Sequence, residues 1–310
     1  TADADGSVVY GKGGNDSLGI TVSFNTSTMY GGAGNDTIDI SKGAAAALYG
    51  DLGADSIYFT KQFSNSTIYG GNQSDATSAD GADTIHLSST ASASYLHGNG
   101  GNDTIYVGGT ALSSSVYGGQ GTDDISITGS ITNTVVSGNL GNDTMDLESV
   151  AKNSTVYGGG GFLYDTSLDG ADSIEIGGSL TGSLLHGNGG NDSFYLVNES
   201  YESTVYGGQG ADLISLSGTN KSITKSWIAG NRGSDKLTLA SKSTILNSTI
   251  LGSDETGTLT GNDSLSIGAL TVQTSTVYGG AGSDTILFGG TNTNTQIVDV
   301  AFDAFAGADS

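Results

Sequence analysis

The sequence of 310 residues lacks cysteine and proline and has few cationic side chains. Without Cys the chain forms neither a disulfide framework nor a thiolate zinc site. Nine Lys and Arg against 32 Asp and Glu give a formal net charge of −23, which argues against binding to nucleic-acid phosphates or anionic lipids. No apolar run reaches the roughly 18 residues of a membrane span. Because there is no initiator Met and no signal-like start, we expect a processed or excised segment.

Glycine is the residue type that the chain has in excess, with 52 copies. Only 35% of the residues are hydrophobic and 13% are charged, which is too little apolar material for a thick globular core. Such a composition is typical of disordered chains or of thin, repetitive structures. The apolar residues keep one register along the whole sequence, which disorder does not require, so a repetitive structure is favoured.

The tripeptide Gly-x-Asp recurs along the chain with a period of about 20 residues. Up to the twelfth copy, Asp263, every fourth interval is longer, with spacings of 28, 29 and 28 residues. A repeat of about four units therefore overlies the basic one. The aspartates of this tripeptide are Asp16, Asp36, Asp55, Asp83, Asp103, Asp123, Asp143, Asp172, Asp192, Asp212, Asp235, Asp263, Asp284 and, in the weakest context, Asp309.

Each unit contains two short runs of alternating apolar residues. After the motif Asp, the second and fourth residues are apolar, as in Ile38 and Ile40, and a second run such as 154–157 precedes the glycine pair. A period of two predicts strands, and one unit has too few apolar residues to bury its faces alone. We therefore predict an all-β solenoid of about 13 coils, with two short parallel-stacked strands per coil. It is expected as a single domain over 1–295, with 296–310 as a tail or the start of a further coil.

The turn between the two runs has a restricted composition. It reads Gly-Gly-x-Gly-x-Asp at 31–36, 118–123, 207–212 and 279–284. Elsewhere the second glycine is replaced by residues that tolerate a left-handed backbone. These replacements are Asp51, Asn99, Asn139, Asn188 and Asn231, and Lys12 is the one departure. The pattern indicates a backbone constraint at this position.

With the following apolar residue, this turn resembles the RTX (repeats-in-toxin) nonapeptide of secreted calcium-binding β-rolls. Unsubstituted matches lie at 31–38, 118–125, 207–214 and 279–286. The resemblance implies that Ca²⁺ is held by carbonyl groups of the glycine turn and by carboxylates of neighbouring coils. It also implies secretion, with folding deferred until calcium is met outside the cell. Only one turn per coil has the motif, so the chain is more similar to one-edged calcium solenoids of large bacterial adhesins and surface-layer proteins.

Elementary electrostatics also favours calcium. Stacked coils place the motif carboxylates in a file about 5 Å apart, where they repel one another unless cations lie between them. Ca²⁺ takes six to eight oxygen ligands and accepts both carboxylates and backbone carbonyls. The alternative is that each Asp only bonds the backbone of its own turn. The predicted ligands are Asp16, Asp36, Asp55, Asp83, Asp103, Asp123, Asp143, Asp172, Asp192, Asp212, Asp235, Asp263 and Asp284.

An aromatic residue precedes the glycine pair in most coils. By alternation it points outward, which leaves two interpretations: a sugar-binding or assembly surface, or cross-strand stacking. His97 and His186 replace the tyrosine and are expected at the surface. The tyrosines are Tyr10, Tyr30, Tyr49, Tyr69, Tyr117, Tyr157, Tyr206 and Tyr278.

Three further features have open interpretations. The long turns 70–81, 158–170 and 252–261 are assembly contacts, extra calcium sites or tolerated insertions. A basic cluster either meets an acidic edge of another copy or neutralises local charge. It consists of Lys221, Lys225, Trp227, Arg232, Lys236 and Lys242. The Asn-x-Ser/Thr motif of glycan acceptors occurs at Asn25, Asn65, Asn153, Asn198, Asn220 and Asn247.

These features favour a non-enzymatic, extracellular structural protein, a segment of a surface layer, filament or adhesin that binds several Ca²⁺ ions. The expected partners are further copies of the chain in a lattice or filament, or a cell-surface polysaccharide. One alternative is an ice-binding or adhesive solenoid, against which the varied turn residues argue. Another is a polysaccharide-binding or polysaccharide-modifying solenoid, for which we find no convergent acid, base and charge stabiliser.

Overall fold

The computed structural model describes residues 4–72, 80–160, 169–218, 221–239, 243–253, 261–269, 271–289, 296–298 and 301–303. Over these residues the chain is an all-β, parallel β-solenoid of about 13 turns without a helix, which confirms the predicted fold class. Contacts divide it into two compact units, Thr1–Glu148 and Ser149–Ser310. Among the described residues, no helix is long and apolar enough to cross a membrane.

The first unit consists of three parallel ladders. The first ladder leads into the glycine turn and contains Val8–Gly13, Thr28–Ala33, Ala47–Leu52, Thr67–Tyr69, Tyr95–Gly100, Ser115–Gln120 and Val135–Leu140. The second ladder follows the motif Asp and contains Ser17–Ser23, Thr37–Ala44, Ser56–Phe59, Thr84–Leu87, Thr104–Val107, Asp124–Ile127 and Thr144–Leu147. The third ladder contains Phe63–Ser64, Ala91–Ser92, Ala111–Leu112 and Ile131–Thr132, and the end of Thr37–Ala44 pairs with its first strand.

The second unit repeats this order. Its first ladder contains Thr155–Gly159, Leu184–Gly189, Thr204–Gln209, Trp227–Arg232, Thr249–Leu251, Thr276–Tyr278 and Ala301–Asp303. Its second ladder contains Ser173–Ile176, Ser193–Leu196, Leu213–Leu216, Lys236–Leu239, Ser264–Ile267 and Thr285–Phe288. Its third ladder contains Ala151–Lys152, Leu180–Thr181, Ser200–Tyr201, Ser222–Thr224, Thr244–Leu246, Thr271–Gln273 and Gln296–Val298.

The core is a thin column of apolar side chains held in register by the parallel pairing. In the first unit Leu96 pairs with Val116 and Val116 with Val136, and all three side chains are fully buried. Ile105 and Ile125 pair in the same way in the second ladder. Each apolar position thus lies above its equivalent in the next coil, so each coil buries the faces of its neighbours.

The third ladder goes beyond the two strands per coil that the sequence predicts. Its strands are mostly two residues long and are followed by a corner residue with positive φ, then by a buried Ser or Thr. The backbone N–H of Ser94 donates to Ser114 Oγ (3.1 Å), and Ser94 Oγ donates to the Ser92 carbonyl oxygen (2.8 Å). This column of small hydroxyl side chains satisfies backbone groups at the corner where the walls approach.

The described residues of the segment 296–310 form two strands. Gln296–Val298 pairs with Thr271–Gln273, and Ala301–Asp303 pairs with Thr276–Tyr278. Both pairings continue ladders of the second unit. The expectation of one continuous domain over 1–295 stays a prediction.

Candidate metal centre

The motif aspartates form a file within each unit, one per coil at the start of the second ladder. Twelve of the thirteen predicted residues are only 1–2% exposed, and Asp16 in the first described coil is half-buried. Such burial of a carboxylate is costly unless hydrogen bonds and counter-charges offset it. The groups that contact these carboxylates therefore indicate their role.

In eleven of the thirteen aspartates, one carboxylate oxygen accepts a hydrogen bond from the backbone of the preceding coil. The N–H of Asp103 donates to Asp123 Oδ1 at 2.8 Å, and the N–H of Asp192 donates to Asp212 Oδ1 at 2.8 Å. The same bond joins successive aspartates throughout each unit, at 2.6–2.9 Å. The carboxylate therefore links two coils, in contrast to the alternative in which it bonds its own turn.

The other carboxylate oxygen, Oδ2, is buried and accepts no hydrogen bond. This holds among the described residues for Asp16, Asp36, Asp55, Asp83, Asp103, Asp123, Asp192, Asp212, Asp235 and Asp263. A buried, charged oxygen without a donor is among the most unfavourable groups in a folded protein. Its regular recurrence indicates a partner that belongs to the site, and a cation is the partner such an oxygen attracts.

A carbonyl oxygen of the next coil lies beside the same glycine as this carboxylate oxygen. A Cβ atom on Gly31 would lie 2.5 Å from Asp36 Oδ2 and 2.6 Å from the Gly50 carbonyl oxygen. We call this meeting point of a carboxylate oxygen and a next-coil carbonyl oxygen the glycine cradle. It recurs at Gly11, Gly31, Gly50, Gly70, Gly98 and Gly118 in the first unit and at Gly158, Gly187, Gly207, Gly230 and Gly252 in the second. Any side chain at these positions would fill the cradle.

The backbone constraint at the second glycine is confirmed. Asn99 has a φ of 83°, Asn188 has 79° and Asp51 has 76°, and Lys12 adopts the same conformation at 87°. Gly32, Gly119, Gly208 and Gly280 have positive φ as well, from 110° to 128°, whereas Gly71 and Gly159, which lead into long turns, do not. Outside the long turns, the glycine turn therefore keeps one shape in coils of different sequence.

Burial raises the pKa of eight aspartates of the file well above the ordinary value of an Asp. It raises the pKa of Asp83 to about 9 and that of Asp192 to about 8; in both cases the N–H of the preceding coil opposes the rise and neighbouring carboxylates add to it. Burial also raises the pKa values of Asp55, Asp103, Asp123, Asp212, Asp235 and Asp263 to about 7. Without a cation, these carboxyl groups are driven towards the protonated form.

The donor set matches a hard cation bound in part by the backbone. No group of three or more His, Asp or Glu side chains converges within the described ranges. Each cradle instead joins one carboxylate oxygen to a carbonyl oxygen, and Ca²⁺ accepts both kinds of ligand. The residues present therefore fit Ca²⁺ between successive coils.

Comparison with known proteins agrees with this geometry. The model of the RTX calcium-binding nonapeptide repeat (4 copies) matches residues 27–44, 79–110 and 275–293. The chain carries RTX-type calcium-binding repeats. Its fold is an RTX-type β-roll solenoid, and the repeats bind several Ca²⁺ ions. Comparison with curated protein sequences gave no match.

Two solved structures are similar to the chain. One is a hyperactive, Ca²⁺-dependent, β-helical antifreeze protein from an Antarctic bacterium, with a TM-score of 0.53 and 17% identity over 97% of this chain and 82% of the other. The other is the catalytic unit of a GH87 α-1,3-glucanase from Streptomyces thermodiastaticus strain HF3-3. Its TM-score is 0.25, with 11% identity over 98% of this chain and 63% of the other. The first likeness supports the fold, and the second is too low to carry an argument.

The long turns contribute two further half-buried carboxylates. Asp80 accepts hydrogen bonds from the N–H groups of Gly81 (3.2 Å) and Gly100 (3.3 Å). Asp169 accepts them from Gly170 (3.1 Å) and Gly189 (2.9 Å). Burial raises the pKa of each to about 6. Both side chains thus satisfy backbone donors where the long turn rejoins the coil; residues 73–79, 161–168 and 254–260 lie outside the described residues.

The aromatic file forms a stack in the first unit. The ring centroids of Tyr10 and Tyr30 lie 5.1 Å apart, those of Tyr30 and Tyr49 4.9 Å, and those of Tyr49 and Tyr69 5.5 Å, with interplanar angles of 5–12°. Tyr49 is only 6% exposed. This geometry favours the stacking interpretation over an open sugar-binding surface.

The surface position expected for the two histidines is wrong for His97, which is 9% exposed, and His186 is half-buried. Each imidazole ring packs against the glycine turn that follows it in the chain. His97 Nδ1 accepts the N–H of Asn99, and His186 Nδ1 accepts the N–H of Asn188, both at 2.9 Å. Burial lowers the pKa of His186 to about 4, so this ring is neutral at physiological pH.

The basic cluster is distributed over the coil. Trp227 and Arg232 lie in the first ladder, Lys236 begins a strand of the second, and Lys225 lies at the corner after the third. Lys225 pairs with Glu202 at 2.8 Å and lies over the Tyr201 ring. Residues of this cluster that are close in the sequence therefore lie in different ladders. Lys242 lies outside the described residues.

Proposed function

We propose that the chain is a calcium-folded structural segment of an extracellular surface layer, filament or adhesin, and that the thirteen motif aspartates are its calcium ligands. The observation that carries the proposal is the glycine cradle. It repeats along each unit, and in ten of the described coils its carboxylate oxygen is buried and accepts no hydrogen bond. Such a periodic arrangement supports a structural role that is repeated along the chain.

The cost of burying these carboxylates in the calcium-free chain explains why calcium would control folding. Asp55, Asp83 and Asp103 form no ion pair with Lys or Arg within the described ranges. Their ionised forms are therefore buried without a counter-charge, which disfavours the calcium-free fold at neutral pH. Metal binding that completes a fold adds its binding free energy to folding. The chain would stay unfolded where calcium is scarce and fold outside the cell.

Self-association is the expected use of the folded segment. The repeat of about four coils places a long turn on every fourth turn of the solenoid. Long turns that recur at regular intervals along a repetitive scaffold suit a lattice or filament of further copies, or a contact with cell-surface polysaccharide. Low charge variety and the absence of Cys fit a structural role of this kind.

Ice binding is the alternative suggested by the antifreeze protein of similar fold. An ice-binding face needs a flat array of one small residue. Here the position just before the last glycine of the turn is occupied by Gly13, Ala33, Leu52, Gln120 and Arg232 in different coils. This variety argues against ice binding.

The test is a calcium titration of chelator-treated protein, followed by far-UV circular dichroism and light scattering together. We expect a cooperative gain of β signal as free calcium rises, and scattering that increases with it. A β signal that chelator leaves unchanged would contradict the calcium assignment. Folding without any rise in scattering at high protein concentration would contradict self-association alone.

A further inference from the structure

The corner after each third-ladder strand presents one residue to solvent. Asn65, Asn133, Asn153 and Asn247 occupy this corner with φ values of 48–50°, and all four are exposed. The corner does not demand Asn, because Ala93, Glu202 and Lys225 adopt the same backbone conformation in other coils. Positive φ thus favours Asn at this corner without requiring it, so the residues that follow each Asn distinguish one corner from another.

Three of these corner asparagines begin the same tripeptide, Asn-Ser-Thr, at 65–67, 153–155 and 247–249. Each lies in a coil that leads into a long turn, so the motif recurs once per long repeat. Asn-x-Ser/Thr is the acceptor motif for N-glycosylation, and acceptors lie on exposed turns. Asn133, in a coil without a long turn, is followed by Thr134 and Val135 and lacks the motif.

The structure separates these three sites from the other matches to the motif. Asn198 is half-buried, and its Nδ2 donates to the Gly177 carbonyl oxygen at 2.6 Å. Asn25 accepts the N–H of Ala44 through Oδ1 at 3.0 Å and is half-buried as well. Asn220 lies outside the described residues. Within the described part of the chain, the side-chain amides at the three corners form no hydrogen bond, and all three residues are exposed.

We propose that Asn65, Asn153 and Asn247 are attachment sites for N-linked sugar. In the reaction, Nδ2 forms a bond to the anomeric carbon of a sugar diphosphate while the bond from that carbon to the diphosphate breaks, and the amide proton passes to a base of the transferase. The donor is a nucleotide-linked or lipid-linked sugar. Each modified corner lies outside the core, so the sugar extends into solvent without disturbing the coil.

The fold itself supplies matched variants for the test. Val135 occupies the register position of Thr67, because Thr67 pairs with Tyr95, Tyr95 with Ser115 and Ser115 with Val135. Thr67→Val, Thr155→Val and Thr249→Val thus remove the motif hydroxyl with a residue that the ladder already uses, and keep the Asn. Val135→Thr creates the motif at Asn133 in the same corner geometry.

The experiment is glycopeptide mapping by mass spectrometry of wild-type and variant chains purified from the producing cells. Wild type is expected to have sugar on Asn65, Asn153 and Asn247 and none on Asn133 or Asn198. Each Thr→Val variant should lose the sugar at its own Asn only, and Val135→Thr should gain one at Asn133. Incubating the sugar-free chain with cell extract and either a nucleotide sugar or a lipid-linked sugar identifies the donor.

Unmodified peptides at all three corners, or sugar found only on Ser and Thr, would overturn the inference. So would sugar that persists on Asn65 in Thr67→Val. Calcium-dependent folding is measured on the same samples by circular dichroism. A folded, calcium-responsive and sugar-free chain would thus refute the glycan sites and leave the proposed function intact.

Discussion

Substituting Asp123 with Asn should change the stability of the fold in opposite directions with and without calcium. The Asn side chain keeps the oxygen that accepts the N–H of Asp103 at 2.8 Å. It replaces the second carboxylate oxygen by an NH₂ group. In the cradle at Gly118 this NH₂ group faces the Gly138 carbonyl oxygen. A hydrogen-bond donor thus replaces a carboxylate oxygen beside a carbonyl oxygen.

The magnitude follows from the raised pKa of Asp123, which burial shifts from 3.8 to about 7. Because the pKa is higher in the folded state, ionisation disfavours the calcium-free fold. The penalty is absent below the unfolded value of 3.8, develops as the pH rises towards 7 and is complete above it. A rise of about three units corresponds to at most about 4 kcal/mol. The calcium-free variant should therefore be more stable than wild type by up to that amount above neutral pH.

With calcium the same substitution removes a charged ligand, so the variant should need a higher free calcium concentration to fold. The assay is far-UV circular dichroism at about pH 8, in chelator with increasing urea and in a calcium titration. Asp124→Asn is the matched control, because Asp124 is exposed and lies one residue away. A variant that folds at the same or lower calcium concentration than wild type, or that is destabilised equally in chelator, would refute the reasoning.

Three further substitutions or measurements test separate parts of the account. Gly118→Ala places a Cβ in the cradle and should raise the calcium concentration at the midpoint of folding, measured by circular dichroism. Gly19→Ala is the control, because a Cβ at Gly19 meets nothing within 4 Å, and it should leave the midpoint unchanged. Equal effects of the two substitutions would contradict the cradle. Ser114→Ala leaves the N–H of Ser94 without its acceptor and should lower the free energy of unfolding by about 1–3 kcal/mol in urea denaturation. Ser115→Ala is the control, and an equal effect of the two substitutions would contradict the role of the Ser114 hydroxyl. NMR titration should show His186 neutral down to about pH 4, and a transition near the ordinary pKa of 6.5 would contradict its burial.

Much of this architecture could be predicted from the sequence, because one coil repeats many times. The period of Gly-x-Asp predicts the stacking, and the apolar residues at Ile105 and Ile125 predict which positions lie above one another. The replacement of glycine by Asn99 or Asp51 predicts the left-handed turn. These features are local, and repetition makes each of them visible a dozen times.

Features that arise between coils were not predictable in the same way. The bond from Asp103 N–H to Asp123 Oδ1 joins residues 20 apart, and no spacing distinguishes it from a bond within the turn. Strands of two residues, such as Ala111–Leu112, are too short for alternation to reveal the third ladder. His97 alternates as an outward residue, yet neighbouring rings and its own turn cover it.

The most direct test of the central claim is a crystal structure of the calcium-loaded chain, with anomalous scattering used to locate calcium. We expect anomalous peaks between successive coils at the glycine cradles, each within 2.3–2.6 Å of a motif Asp oxygen and of a next-coil carbonyl oxygen. Such peaks at Gly31, Gly118 and Gly207 would establish the file of aspartates as the calcium ligands. Cradles that hold water alone, with calcium bound elsewhere or not at all, would contradict the account.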